Sequence, residues 1–170
     1  KSSDFEFIEV LNFSQKTLNL SGLTVAGEVR FSFLESDNKS LNPGERVLLV
    51  RNAKAFAARY GPNISIGGVY TGKLSNSGGR LEIVDQSGKL ILELNYQDDW
   101  IPVTDGRGFS LVAKKLTPQG EMDGAEYWGA SLNIHGSPGV PDNHLETNYT
   151  VVINEALELA RTFSTEESVK

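Results

Sequence analysis

Cysteine is absent from the 170 residues, which removes disulfides, thiolate metal sites and a cysteine nucleophile together. No covalent staple is needed, because a chain of this length buries roughly 70% of the surface its unfolded form exposes. Long apolar runs are missing as well. None approaches the ~20 residues that a helix needs to cross a bilayer, so no membrane insertion is expected. Basic charge is scarce, with 16 lysines and arginines against 22 acidic residues and a formal net charge of −6. The densest basic spot, Lys114-Lys115, is too small for a phosphate-binding stripe, so nucleic acid is an unexpected partner. Histidine occurs only at His135 and His144, which leaves few general bases for nucleophilic chemistry. The chain opens on Lys1 without a leader, and is expected to be a piece of a larger exported protein whose targeting signal lies elsewhere.

What is present is a texture of short apolar stretches separated by turn residues every eight to twelve positions, the pattern of an all-β domain. Val29-Arg30-Phe31-Ser32-Phe33 places Val29, Phe31 and Phe33 on one face. Leu18 and Leu20 alternate in the same way with Asn19 and Ser21. Arg46 to Val50 is a continuous strand introduced by the turn residues Asn42-Pro43-Gly44. Leu81–Val84 and Leu90–Leu94 flank Asp85-Gln86-Ser87-Gly88-Lys89, a hairpin with a five-residue loop. Phe109–Ala113 follows Asp105-Gly106-Arg107-Gly108. Together these give about nine strands before residue 115.

One short helix interrupts them. Asn52 can cap it, Ala53–Tyr60 is alanine-rich, and Gly61-Pro62 ends it. A helix of this length is marginal alone and must dock through Phe56 and Tyr60. Residues 116–150 hold Pro118, Pro138 and Pro141 with little periodicity. They are expected to run back over the domain as an extended segment anchored by Tyr127 and Trp128. Within 151–170, Val151-Val152-Ile153 is strand-like, Glu155 to Arg161 has helical residues, and the polar end is a frayed tail.

An ordered series of landmarks resembles the lamin-tail domain family. It runs from Phe5-Glu6-Phe7-Ile8-Glu9-Val10-Leu11-Asn12 through Leu18-Asn19-Leu20-Ser21-Gly22-Leu23 to Leu41-Asn42-Pro43-Gly44-Glu45. The helix from Ala55-Phe56 to Arg59-Tyr60-Gly61 follows, then Leu74-Ser75-Asn76-Ser77-Gly78 and Leu81-Glu82-Ile83-Val84-Asp85. Asp105-Gly106-Arg107-Gly108-Phe109-Ser110-Leu111 and the ending from Trp128-Gly129-Ala130-Ser131 to Gly136-Ser137-Pro138-Gly139 complete it. The resemblance implies an immunoglobulin-like β-sandwich over residues 1–115 that performs no chemistry. In bacteria it implies an extracellular or cell-surface accessory module that positions neighbouring domains or contacts a protein or a glycan. Family members open with a Val-Val-Ile-Asn-Glu strand, which here stands at Val151-Val152-Ile153-Asn154-Glu155 instead. That stretch either begins a following module, or fills the empty place as a strand in its own chain or by exchange with a neighbouring copy.

Candidate sites are few. In His135-Gly136-Ser137-Pro138-Gly139 the serine lacks a nucleophile elbow, which needs a glycine on both sides at fixed offsets, and marks a turn. A hydrolytic carboxylate pair would have to come from Glu6, Glu9, Glu82, Asp98 and Asp99, although strand glutamates are expected to face solvent. Calcium would need clustered loop oxygens, for which Asp98, Asp99 and Asp105 are the candidates, with Asp123 near Glu121 and Glu126 a second group. Tyr96, Trp100 and Trp128 are the candidate ligand-contact aromatics, though buried tryptophans are commoner in such folds. The expected function is a non-catalytic binding, docking or spacer module without a cofactor. The alternatives are a small carboxylate-dependent hydrolase or a calcium-stabilised adhesion domain.

Overall fold

The computed structural model describes residues 2–114, 122–142 and 151–153. Thirteen strands and one α-helix occur among the described residues, so the fold is mostly β with a single short helix. In chain order they are β1 (Phe7–Leu11), β2 (Leu18–Asn19), β3 (Thr24–Gly27), β4 (Val29–Ser32), β5 (Ser40–Leu41) and β6 (Arg46–Val50). Helix α1 (Ala53–Tyr60) follows, then β7 (Gly68–Val69), β8 (Thr71–Gly72), β9 (Gly79–Val84) and β10 (Leu90–Tyr96). The last three are β11 (Phe109–Ala113), β12 (Trp128–Ile134) and β13 (Val151–Ile153).

The largest sheet has the order β10-β9-β3-β4-β8. Its pairs are all antiparallel, and the β9–β10 hairpin is the one its five-residue turn announces. Asp85 Oδ1 organises that turn by accepting from the backbone of Ser87 and Lys89, a short acidic side chain doing what turn chemistry favours. A second sheet orders β1-β6-β7, with β1 antiparallel and β7 parallel to β6. A third orders β12-β11-β13, both pairs antiparallel, and β2 pairs with β5 alone. β13 also runs close beside β1. Val151–Ile153 thereby takes a place between two strands from distant parts of its own chain.

The core explains why β1 is central. All five of its residues are buried, because protein covers it on both faces. On one side Phe7 meets Phe56 and Tyr60 of α1 edge-on, both at 5.9 Å between ring centroids. Asn52 Oδ1 caps α1 by accepting from Ala55 N at 3.1 Å, and Gly61, at φ 93°, closes it. Burying a side chain such as Phe56 is worth roughly 1.5–3 kcal/mol, enough to hold a helix that would not persist alone.

Three expectations change. Eleven strands, not about nine, precede residue 115, the surplus coming from two-residue pairings that show no periodicity. Phe33 is buried with Val29 and Phe31 as the alternation requires, but it opens a 3-10 turn and not a strand end. Residues 128–134, placed in an extended return segment, form β12 and pair with β11 across a register irregularity between Phe109 and Leu111. Glu121, His144, Lys115 and the helical stretch from Glu155 to Arg161 lie outside the described residues.

Candidate functional site

β1 brings two glutamates into the protein, against the expectation that they face solvent. Glu9 is fully buried. Its carboxylate stands 2.9 Å from Arg46 Nε on the neighbouring β6 and accepts from Gly139 N at 2.7 Å. Burial pushes its pKa up to about 7, with the Asp142 carboxylate adding to the rise; the Gly139 N–H and Arg46 oppose it. Asp142 is itself buried and accepts from Leu132 N at 3.2 Å and the Ser137 hydroxyl at 3.3 Å. Glu6, just before β1, accepts from Leu74 N at 3.1 Å and the Tyr70 hydroxyl at 3.4 Å, with Arg51 Nη1 3.6 Å away. Burial raises its pKa too, because these contacts only partly offset the loss of water.

Glu6 lies at the back of an open cleft of about 400 Å³. Five separate segments build its walls. The N-terminal turn and the end of α1 supply Phe5 and Arg59, whose guanidinium lies 3.4 Å over the Phe5 ring, a cation–π contact. The loop after β8 supplies Lys73, Leu74 and Asn76, and the approach to β11 supplies Thr104, Gly106 and Phe109. His135 completes the lining, its carbonyl accepting from the Tyr60 hydroxyl at 2.7 Å and its N–H donating to Gly108 O. His135 holds φ at 75° in the tight turn leaving β12. Arg59, Lys73 and His135 are exposed. Sequence reasoning missed all of these residues as a group, since no spacing links five segments that only folding joins.

The residues expected to act fare differently. Trp128 is fully buried, donates Nε1–H to Met122 O at 2.7 Å, and belongs to the core. Tyr96 is buried as well, its hydroxyl shared between Ser75 and Glu28. Trp100 is half-buried and stacks on Trp128 at 6.4 Å. The three therefore form no flat platform for a sugar. Asp98 and Asp105 reach one small depression beside the cleft, and Asp99 does not. All three are exposed, and no group of three acidic or histidine side chains that could hold a metal occurs among the described residues. Asp123 instead accepts from the backbone N–H and the side-chain amide of Asn95, both at 2.8 Å. Glu6 and Glu9 have separate sets of partners, Arg51, Leu74 and Tyr70 for the first and Arg46 and Gly139 for the second. Glu82 is paired to Arg80 at 2.6 Å. Ser137 is bound to Asn133 and Asp142 rather than to a histidine.

Among the described residues no helix is long and apolar enough to cross a membrane. No family model matches the chain, and no curated protein matches it.

Proposed function

We propose that the chain is a non-catalytic docking module of a larger exported or cell-surface protein, and that it meets a protein partner through the loop-lined cleft. The observation that carries this is the cleft itself, a concave surface of about 400 Å³ at which five chain segments converge. Such convergence on a rigid β scaffold is where recognition usually resides. The deep carboxylates support the same conclusion, since Glu6 and Glu9 are both engaged by structural partners. The lamin-tail resemblance of residues 5–142 adds the context of an accessory module, on its sequence landmarks alone. Its immunoglobulin-like sandwich is part of the same proposal: the sheets that carry the core would be its two layers.

Thermal unfolding of the 170-residue chain against peptide and oligosaccharide panels tests this. A ligand at ~100 times its Kd adds about 2.7 kcal/mol to the folded state. Stabilisation by a peptide that Asn76→Trp abolishes, by filling the cleft, is the expected result. Hydrolysis of a glycoside or ester panel that Glu6→Gln or Glu9→Gln removes would overturn it in favour of a carboxylate-dependent hydrolase.

A further inference from the structure

We infer that the cleft recognises an acidic peptide segment, its side-chain carboxylates seating against Arg59 and Lys73; this rests on the docking function proposed above. The molecule as a whole is acidic, at −6, and its other arginines with resolved contacts show what cations do here. Arg46 pairs with Glu9, Arg51 with Glu6, and Arg80 with both Glu82 and Glu93. Arg59 and Lys73 are different. Neither is ion-paired to a carboxylate among the described residues, and both line the same cleft. Two exposed cations on one concave surface, neither with a carboxylate partner among the described residues, offer a binding point for a ligand of opposite charge.

The geometry of Arg59 strengthens this. Its guanidinium carbon lies over the Phe5 ring, 3.4 Å from the centroid, and the residue is exposed. A planar guanidinium held against a ring and exposed to solvent suits bidentate contact with a carboxylate. Among the described residues that line the cleft Glu6 is the one carboxylate, and it is already bound to Arg51, Leu74 N and Tyr70. Its charge is therefore largely spent inside the fold. Sugar is the less favoured occupant, because the Phe5 face that could stack on a pyranose is covered by Arg59. Tyr96 and Trp128 are buried besides.

The absence of cysteine makes a direct test simple. Asn76→Cys, at an exposed lining position, carries a thiol-reactive fluorophore that reports on the cleft alone. The labelled chain is titrated with hexaglutamate, hexaglutamine, hexalysine and a galacturonate oligomer. Hexaglutamate should give a saturable response that weakens at least about tenfold in Arg59→Gln/Lys73→Gln and falls with salt, as exposed charge pairs do. Arg30→Gln, on the exposed side of β4, should change nothing. Both substituted cleft residues are exposed, so an unchanged melting temperature confirms that the variants fold. If hexaglutamine or hexalysine binds as well as hexaglutamate, or if the double variant keeps full affinity, acidic recognition is overturned while docking stands. A response to galacturonate alone overturns the peptide assignment. Silence from every probe overturns both the inference and the docking function beneath it.

Discussion

Glu9 makes the folded state sensitive to pH in a direction opposite to that of most carboxylates. An ordinary surface carboxylate is held below its unfolded pKa, and its stabilisation disappears as pH falls. Glu9 is raised, from 4.5 to about 7. Between those values the folded chain binds more protons than the unfolded one, so stability falls as pH rises. The contribution is complete below 4.5 and gone above about 7. Each pKa unit corresponds to about 1.4 kcal/mol, which makes the swing about 3 kcal/mol. For a chain of this length that is roughly 6–12 °C in melting temperature. The groups facing Glu9 are Arg46 on β6, the Gly139 N–H and Asp142. Glu6 is raised as well and adds to the same slope. Glu45, Asp85 and Glu93 are lowered by their hydrogen bonds, so their effect lies below this window. The assay is urea unfolding, followed by tryptophan fluorescence, at about pH 5 and about pH 8. Glu9→Gln keeps the shape and an acceptor for Gly139 N while removing the charge. It should flatten most of the slope, with an intrinsic destabilisation from the uncompensated Arg46 that is the same at both pH values. A variant whose stability falls between the two as steeply as the parent's would refute the assignment.

Three further substitutions probe the scaffold. Trp128→Ala removes the largest fully buried side chain and should cost about 3–5 kcal/mol in urea unfolding. Asn52→Ala removes the α1 cap; a loss of about 1 kcal/mol is expected, with local hydrogen exchange rising first across Ala53–Tyr60. Val152→Pro deletes a backbone donor at the position opposite Val112. It should lower the melting temperature and speed amide exchange in β11, whereas unchanged exchange would show that β11 does not depend on this pairing.

Much of this fold is legible in sequence where local chemistry and burial agree. The α1 boundaries follow from Asn52 and Gly61, and the β9–β10 hairpin from its turn, because each is fixed within a few residues. β12 was hidden for a definite reason. Its hydrophobic pattern is inverted: Ser131 faces inward, accepting from Ser110 N and donating to Asn133 O, while Leu132 and Ile134 are exposed. Binary patterning assigns such a segment to no layer. Glu6 and Glu9 were misplaced by the same rule. A strand covered on both faces must bury whatever it carries, and only the partners, with Arg46 37 residues beyond Glu9 and Arg51 45 beyond Glu6, make that tolerable. The cleft was illegible because Phe5, Arg59, Lys73 and His135 meet only through tertiary structure.

The buried carboxylates and the cleft are parts of one construction. Glu6 and Glu9 leave the same stretch of chain for different partners. Glu6 grips Leu74 N and so fixes the loop that carries Lys73 and Asn76. Glu9 grips Gly139 N, in the turn that begins at His135, and Asp142 ties the end of that turn to Leu132. Two walls of the cleft thus hang from one strand through ionisable groups, while Phe7 of that strand packs against α1, which carries Arg59. A buried ion pair contributes little net stability compared with apolar packing, but it fixes position, because an acceptor that leaves its donors is left without water to replace them. The two glutamates are therefore better explained as positioning devices for the cleft walls than as a source of stability. Replacing Glu9 and Arg46 together by apolar residues of similar size should leave the melting temperature near that of the parent. It should nonetheless loosen residues 135–142, seen as faster amide exchange at Gly139 and Leu132. If exchange there is unchanged while stability collapses, the pair is an energetic element and not a positional one.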